Sequence, residues 1–282
     1  MHIFTLLYIR KRLCLARYKE FSMSVSLQKA NFWKRISAYL FDLILTVTLA
    51  VGFCSVVSSI VGYDKHSEKL DFYYAQYAEE YGIDLDISQE DYDALSDAEK
   101  AKYEAADKAL SKDAAVLSVY DTMFRLTLVI LGVGIFLAIF IFHFILPLLF
   151  KNGQTLGKKA FGLSVVRTNL VKTSNPVLFV RSVIGLYAME TMVPVLLVTM
   201  IYFGILGSVG TMTIALLLIL QVSVMAVTRT NSSIHDLLSD TVVVDYASQR
   251  TFDSEEALIA FKEAEHAREV AAQREQEITS RN

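Results

Sequence analysis

Three long apolar blocks, separated by charged segments, dominate the pattern along the chain. They cover residues 36–61, 126–150 and 182–228, and their only charged side chains are Asp42 and Glu190. A helix crosses the hydrocarbon core of a bilayer in about 20 residues, so the first two blocks each predict one crossing. The third block is long enough for two, with glycines near its middle where a turn would fall. The four predicted spans are at about residues 36–61, 126–150, 182–203 and 211–228.

The overall composition agrees with an integral membrane protein. Hydrophobic residues make up 54% of the 282 positions, and the mean hydropathy is +0.40, which is higher than in an ordinary soluble domain. Only three prolines and twelve glycines are present, which argues against disorder. The predicted fold class is therefore all-α: a four-helix transmembrane bundle with a helical extracytoplasmic loop and a helical cytoplasmic tail.

The segments between the apolar blocks differ in charge, and this predicts the orientation. Residues 62–120 contain fifteen acidic residues and six lysines, whereas residues 151–181 contain six basic residues and no acid. Residues 1–35 carry eight basic residues and one glutamate. Because basic segments stay on the cytoplasmic side, we expect both termini and the 151–181 loop to be cytoplasmic and the acidic loop to lie outside the cell.

The first 22 residues fit this pattern poorly. An apolar stretch there precedes the basic triplet at residues 10–12, which reverses the order of a signal peptide. We expect translation to start at Met23, which opens a segment that leads directly into the first span, and an intact-mass measurement would test this. The predicted domains are a cytoplasmic segment, a membrane domain with its acidic outer loop at 62–120, and a charged helical tail, at residues 1–30, 31–246 and 247–282.

The acidic loop is predicted to be helical. Ser96 and Glu99 form a capping-box pattern before an Ala/Lys/Glu-rich stretch,. Acidic residues crowd between Asp84 and Asp93, but the glycine that an EF-hand loop requires is missing, so a solvated acidic surface is favoured over a calcium site. Four tyrosines are spaced for one helical face, namely Tyr73, Tyr74, Tyr77 and Tyr81.

The tail and two short segments also have sequence patterns that predict secondary structure. The tail opens with a capping-box pattern at Asp253 and is predicted as a solvated charged helix; the alternative is a partner contact through Leu258 and Phe261. Residues 163–168 and 241–246 alternate in polarity, so we expect them to form two strands that pair.

Asp42 is the main candidate for function. A charged side chain within a membrane span costs about 2.5–3.5 kcal/mol on insertion scales, so it needs a partner or a wet cavity. Asp42 either binds a proton or a cation, or it forms a fixed ion pair. Arg35 precedes it by about two helical turns, and either reaches lipid phosphates or pairs with Asp42 or with Asp236 beyond the last span.

Two further side chains in the spans could join such a site. Glu190 lies at a depth similar to that of Asp42, and Pro194 could kink its helix and free carbonyls towards a cavity. A hydrogen-bonded acid at a helix contact is the equal alternative for Glu190. His143 could complete a proton relay, although a histidine near a helix end is more often an interface residue.

Three sequence segments occur in a distinctive order. Residues 35–42 read RISAYLFD, residues 153–158 read GQTLGK, and residues 235–243 read HDLLSDTVV. Together they resemble the RDD family of bacterial membrane proteins, named for one arginine and two aspartates. The family pattern is R-x-x-A-x-x-x-D at the first helix, then a GQTxGK loop, then HDxxxxTxV. Many members have a glycine at the position of Asp240, so we expect a looser turn before Thr241.

The resemblance implies a multi-pass protein of the bacterial cell membrane with a transport role, and some members are similar to cation/proton exchangers. The predicted cation or proton ligands are Asp42 and Glu190, and Arg35 and Asp236 form a gate or a structural ion pair. His143 is the candidate relay. The family loop contributes Gly153, Gln154, Thr155, Gly157 and Lys158. We expect the ammonium groups of Lys158 and Lys159 to meet anionic lipid head groups.

No enzymatic activity, cofactor, metal site or nucleic-acid partner is predicted. The GQTLGKK sequence has three residues between its glycines, where a Walker loop has four,. The expected partners are the lipid bilayer, a small cation or proton, and a second copy of the chain, whose close packing Gly132 and Gly134 would permit. The competing function is a non-transporting scaffold or assembly factor that binds partners through the acidic loop and the tail.

Overall fold

The computed structural model describes residues 30–150, 152–228 and 230–281, so the predicted start at Met23 and almost all of the 1–30 segment lie outside the described residues. Within them, helices and two short strands follow one another along the chain. Their bounds are α1 Phe32–Val61, α2 Tyr63–Tyr81, α3 Gln89–Ala94, α4 Asp97–Leu110, α5 Ala114–Phe150, α6 Leu156–Ala160, β1 Leu163–Arg167, α7 Asn175–Tyr202, α8 Gly207–Val227, α9 Ile234–Leu238, β2 Thr241–Asp245 and α10 Glu255–Arg281.

Four of these helices are long and apolar enough to cross a membrane, which confirms the predicted all-α fold with four spans. Helices α1, α5, α7 and α8 contain 30, 37, 28 and 21 residues, and at 1.5 Å per residue each can reach across a hydrocarbon core of about 30 Å. Many of their large apolar side chains are exposed, such as Ile44, Ile60 and Leu216. An apolar surface of this extent is normally covered, and lipid tails would cover it.

Helices α5 and α7 begin seven or more residues before the start that the apolar pattern predicts. Helix α5 starts at Ala114 rather than near residue 126, because Val116 in its first turn is buried in a cluster with residues of the acidic loop. Helix α7 starts at Asn175 rather than near residue 182, with Pro176 in its first turn, where proline is favourable. As a result Arg181, which the sequence pattern assigns to a loop, lies within a helix.

The chain divides into two compact units. The sheet unit comprises the described part of Met1–Ile44, together with Phe140–Leu186 and Gln221–Asn282. The acidic-loop unit comprises Leu45–Ile139 and Tyr187–Leu220.

Within the acidic-loop unit, the loop folds into α2, α3 and α4, which confirms its predicted helical character. Ser96 and Glu99 form the expected capping box at the start of α4, and the Ser88 side chain caps α3. The tyrosines of α2 pack in one cluster with Leu85 and Ala106, so the predicted tyrosine face is the apolar face of this helix. Its members are Tyr73, Tyr74, Tyr77 and Tyr81.

The glycines Gly132 and Gly134 both pack within the acidic-loop unit. The Tyr187 hydroxyl donates a hydrogen bond to the Gly132 carbonyl oxygen at 2.9 Å. A Cβ atom at Gly134 would collide with the Sγ and backbone atoms of Cys54. These close approaches are made inside one chain, so the two glycines give no support to an oligomer.

Within the sheet unit, β1 and β2 pair antiparallel, as their alternating polarity predicts. The register places Leu163 opposite Asp245 and Arg167 opposite Thr241. Leu163 and Val165 pack against Ala38 of α1. The pairing therefore brings together β1, which follows the GQTLGK segment, and β2, which follows α9.

The first turns of α10 are docked within the sheet unit. Leu258 and Phe252 are buried with Leu170 and Val171, and Phe261 packs against this cluster. The chain itself therefore covers Leu258 and part of Phe261, the two side chains considered for a partner contact.

Candidate functional site

Asp42 is buried beneath the loop segment 153–158. Only 3% of the residue is exposed. The Thr155 hydroxyl donates a hydrogen bond to its Oδ2 atom, and the Gly157 backbone N–H donates one to Oδ1 at 2.7 Å. The Lys158 ammonium nitrogen lies 3.6 Å from Oδ2. Hydrogen bonds and an opposite charge offset the cost of removing a carboxylate from water, so these contacts compensate for the burial of Asp42.

The loop segment is fixed to β1 by its first residues. Gly153 has a φ of +61°, a left-handed conformation that glycine adopts without steric cost. Next to it, the Gln154 side-chain amide donates a hydrogen bond of 2.7 Å to the Leu163 carbonyl oxygen. The segment therefore turns sharply and is anchored before it reaches Asp42.

The next residues of the segment bring hydrogen-bond donors to the carboxylate. Thr155 is the N-cap of α6 and accepts a hydrogen bond from the Lys158 backbone N–H. A Cβ atom at Gly157 would lie 2.9 Å from the Asp42 carboxyl carbon and even closer to the Ala38 carbonyl oxygen. Any side chain there would push α6 away from α1, so the contact between loop and Asp42 requires glycine.

Lys158 does not extend towards lipid head groups, contrary to the sequence expectation. Its side chain is only 14% exposed and points to Asp42, with the ammonium nitrogen also 3.3 Å from the Thr155 hydroxyl oxygen. Burial lowers the pKa of Lys158, and attraction to Asp42 partly opposes this effect,. Lys159 is the exposed lysine of the pair, and its ammonium lies 3.9 Å from the centre of the Phe150 ring.

Asp236, in the first turn of α9, is the second buried carboxylate. Arg181 Nη1 lies 2.5 Å from its Oδ1 atom, and Arg35 Nη2 lies 3.7 Å from Oδ2. Burial by itself would raise the pKa of Asp236, but attraction to Arg181, His235 and Arg35 outweighs burial and holds that pKa well below its usual range,. Asp236 is therefore ionised, with a close and a distant guanidinium partner.

Arg35 joins the beginning of α1 to the segment around α9. Its Nη1 atom donates a hydrogen bond of 2.6 Å to the Thr230 carbonyl oxygen, and its Nη2 atom faces Asp236. Of the pairings considered for Arg35, the structure contains the one with Asp236.

Arg181 is a central residue of the site that the sequence analysis missed. Its Nη1 atom donates to the Thr241 hydroxyl at 2.7 Å, and its Nη2 atom lies 3.2 Å from His235 Nε2. Since a guanidinium group has only donors, this contact is a hydrogen bond in the His235 tautomer whose Nε2 carries no proton,. One signal was present in the sequence: Arg181 directly precedes the third apolar block, as Arg35 directly precedes the first.

The remaining predicted residues lie in π-helical segments, which frequently occur at functional sites. The π-helical turns of α5 cover Phe140–Ile145 and include His143, which is within electrostatic range of Lys158, His235 and Arg181. Those of α7 cover Val180–Met192 and include Glu190. Glu190 belongs to the acidic-loop unit, and its side chain is partly exposed.

Five charged side chains of the sheet unit form what we call the charge cluster: Arg35, Asp42, Lys158, Arg181 and Asp236. Lys158 interacts electrostatically with the other four, so the two carboxylate sites belong to one cluster. Three of these five side chains are basic and two are acidic. Because arginine keeps its proton in proteins, Lys158 is the basic member that can lose one.

The turn before β2 is tight, so the looser turn expected at Asp240 is wrong. Asp240 has a φ of +51°, a left-handed conformation that aspartate tolerates better than most residues. Thr168 holds it through a 2.6 Å hydrogen bond to Oδ1 and a 3.1 Å backbone hydrogen bond to the carbonyl oxygen. Asp240 thus adopts the conformation that glycine would supply.

A model of the RDD family matches residues 29–240 of the chain, from the start of α1 to the end of the turn after α9. The chain belongs to the RDD family. No curated protein and no solved structure matches it. Family membership and the four apolar helices together make this a multi-pass membrane protein.

The three residues for which the RDD family is named have different partners in this member. Arg35 pairs with the second aspartate, Asp236. The first aspartate, Asp42, is held by the GQTLGK segment through Thr155, Gly157 and Lys158. The motifs of this RDD protein therefore meet in the sheet unit, where each aspartate has its own basic partner.

Proposed function

We propose that this RDD protein exchanges a small cation for a proton across the membrane, with Asp42 and Lys158 as the exchanging pair. The observation that carries the proposal is the buried contact between these two side chains, 3.6 Å apart, together with the lowered pKa of the lysine. A lysine that loses its proton readily and a carboxylate that then needs a new counter-ion are the two parts that such an exchange requires.

The exchange follows from charge balance at Asp42. In one state the protonated Lys158 neutralises the carboxylate. In the other, a monovalent cation binds the carboxylate, and Lys158 releases its proton because two positive charges next to one buried carboxylate repel each other. Carboxylate and hydroxyl oxygens, here from Asp42 and Thr155, are ligands that suit a hard cation.

The remaining residues take secondary roles in this proposal. The loose 3.7 Å pair of Arg35 and Asp236 acts as an inner gate, Glu190 as a second acidic site, and His143 as a proton relay next to Lys158. The basic segments lie on the cytoplasmic side of the bacterial cell membrane. A second copy of the chain would help to enclose a pathway, since four helices form a thin wall.

The test is cation-driven proton flux in proteoliposomes that contain the full chain, under imposed Na⁺, K⁺ or Li⁺ gradients. We expect Asp42→Asn to abolish the flux. We expect Lys158→Arg to abolish it too, because arginine keeps the positive charge but does not release a proton. The matched control is Asp245→Asn, which makes the same chemical change at a more exposed ion pair with Lys34. Wild-type protein without flux for any of the three cations, or retained flux in either cluster variant, would contradict cation exchange.

A non-transporting membrane scaffold is the second candidate, and the dense pairing of the charge cluster favours it. Asp42 and Asp236 are both buried, and basic groups face both of them, as a purely structural network would require. In that case wild-type protein shows no flux, while Asp42→Asn lowers its thermal stability. The acidic loop and α10 would then be the surfaces that bind partners, and no enzymatic activity is assigned in either case.

A further inference from the structure

The chain just before α10 is attached to the hairpin that follows β1. The Phe252 backbone N–H donates to the Leu170 carbonyl oxygen at 3.1 Å, and the Lys172 N–H donates to the Phe252 carbonyl oxygen at 2.9 Å. The Lys172 ammonium pairs with Asp253 at 2.6 Å. The start of the tail is therefore held by backbone hydrogen bonds and one ion pair.

Glu255, the first residue of α10, extends this attachment to β1. Its Oε1 atom lies 3.2 Å from Arg167 Nη1 and accepts a 3.1 Å hydrogen bond from the Asn169 side chain. The other end of the same guanidinium, Nη2, lies 3.9 Å from Asp240 Oδ2. Arg167 thus stands between α10 and the left-handed turn before β2.

That turn leads directly to the charge cluster. Arg167 is the cross-strand partner of Thr241, and the Thr241 hydroxyl accepts the 2.7 Å hydrogen bond from Arg181. Arg181 in turn holds Asp236 at 2.5 Å. A continuous series of contacts therefore runs from Glu255 through Arg167 and Thr241 to the cluster.

Besides the two backbone hydrogen bonds, the attachment of α10 consists of exposed ion pairs and one small apolar cluster. The side chains of Glu255 and Asp253 are 59% and 83% exposed, and ion pairs between exposed groups are weak and screened by salt. The apolar contact is confined to a small cluster around Leu258 and Phe252. Regions with few buried contacts open more readily than packed cores.

We propose that α10 is a regulatory arm whose docking through Glu255 and Asp253 sets how firmly Thr241 holds Arg181 in the charge cluster. While α10 is docked, Arg167 supports the turn at Asp240, and the contacts of Arg181 with Thr241 and Asp236 in the charge cluster stay intact. High ionic strength releases the arm, and the turn and its hold on Arg181 loosen. Its effect on transport rests on the proposed exchange function, whereas the docking itself does not.

Hydrogen exchange of the full chain in lipid nanodiscs tests the coupling without any transport. We expect Glu255→Gln to speed up amide exchange in residues 240–243 by about fivefold, because loss of the ion pair populates the open state. The matched control is Glu263→Gln on an exposed position of the same helix, which should exchange like the wild type. Lys172→Gln breaks the other docking ion pair and should act like Glu255→Gln.

Ionic strength supplies an independent perturbation of the unmodified chain. Raising salt from about 0.1 M to about 1 M shortens the Debye length from about 10 Å to about 3 Å, so exchange in residues 240–243 should rise in the wild type and change less in Glu255→Gln. If both docking variants exchange like the Glu263→Gln control at the low salt concentration, α10 does not control the turn and the proposal is overturned.

Proton flux decides whether the arm also regulates activity. In an active preparation we expect Glu255→Gln to raise cation-driven flux at low salt by about twofold or more, as a looser cluster opens more often. Faster amide hydrogen exchange in Glu255→Gln with unchanged proton flux would overturn the regulatory role. Wild-type protein that shows no flux would instead contradict the proposed cation/proton exchange. The amide hydrogen exchange measurements would still decide whether α10 and the turn are coupled.

Discussion

Replacing Arg181 by methionine tests whether the buried contact between Arg181 and Asp236 holds the sheet unit together. Methionine keeps much of the length and the apolar stem of arginine but removes the guanidinium. Of its two guanidinium partners Asp236 would keep only Arg35, whose closest nitrogen is 3.7 Å away, beside the hydrogen bonds from the Ser233 hydroxyl and backbone N–H. The Thr241 hydroxyl and His235 Nε2 would also lose the donor that now lies at 2.7 and 3.2 Å.

The expected effect is large because both partners are buried. The side chains of Arg181 and Asp236 are 8% and 2% exposed, so solvent hardly screens the contact. Removing one member of a buried ion pair typically costs about 3–5 kcal/mol, since the other charge stays buried without compensation. For a chain of this size that corresponds to a fall in the midpoint of thermal unfolding of about 6 to 20 °C.

Thermal unfolding of detergent-solubilised protein, followed by intrinsic fluorescence at neutral pH, measures this effect. The matched control is Lys34→Met, which breaks an ion pair of similar length, 2.9 Å, whose lysine side chain is 50% exposed. An exposed pair of this kind contributes about 0–1 kcal/mol, so the control should shift the midpoint by at most about 4 °C. The comparison separates the effect of burial from that of distance.

Asp236→Asn in the Arg181→Met background completes the test. Neutralising the carboxylate that has lost its closest basic partner should recover part of the lost stability, because the cost lies in a buried charge rather than in lost packing. If Arg181→Met unfolds at the same temperature as Lys34→Met, or if the double variant is no more stable than the single one, the electrostatic reasoning about this contact is refuted.

Three further predictions use the same unfolding assay. Gly157→Ala should destabilise the protein by about 1–3 kcal/mol, because its Cβ would be forced against the Asp42 carboxylate,; Gly207→Ala, in α8 with no neighbour within 4 Å, should be neutral or slightly stabilising. Asp240→Ala should lower the free energy of unfolding by about 1–2 kcal/mol, because alanine is strained in the left-handed conformation of this residue,. Asp240→Gly should lower it less, although it too loses the Thr168 hydrogen bond. Equal losses in the two variants would show that backbone strain is unimportant there. The pKa of Asp236 is lowered by folding, so its contribution to stability is fully present above about pH 4, the usual range for an aspartate, and is lost as the pH falls further towards the folded-state pKa. Asp236→Asn should therefore be less stable than the wild type at pH 6, and should lose less stability between pH 4 and pH 3; parallel pH profiles would contradict this.

The spans could be predicted from sequence because lipid imposes a simple requirement, an apolar run of sufficient length. The starts of α5 and α7 could not be predicted in this way, because other factors fix them. Val116 extends α5 through packing with the acidic-loop helices, and Pro176 permits α7 to begin at Asn175. Neither feature changes the hydropathy of the block that follows.

Local patterns also predicted several short elements. The capping box of Ser96 and Glu99 acts within one helical turn, and the alternation of β1 and β2 follows from the period of a strand. The turn at Asp240 was predicted wrongly, because a residue type alone does not state its φ angle. There the hydrogen bonds from Thr168, 72 positions away along the chain, stabilise the left-handed conformation.

The direction of a basic side chain next to a span was the main point that sequence could not supply. Arg181 and Lys158 both flank apolar blocks, where a basic residue can equally reach outwards to lipid phosphates. Both turn inwards because tertiary contacts offer them partners: the pairing of β1 with β2 accompanies the contact of Thr241 with Arg181, and Gly157 lets α6 approach Asp42. The sequence next to such a residue does not show which side chain becomes its partner, because the partner arrives only through tertiary contacts.

These inward basic residues change which side chain should carry the proton in the proposed exchange. An acid within a span suggests a carboxylate that loads and releases a proton, but the Asp42 carboxylate is already occupied by hydrogen bonds from Thr155 and Gly157 and by the Lys158 ammonium. Of the three bases in the cluster only the lysine can lose a proton readily, and burial lowers its pKa. Lys158→Arg is therefore a sharper test of proton exchange than Asp42→Asn, because it keeps the charge that stabilises the fold and removes only the ability to release a proton.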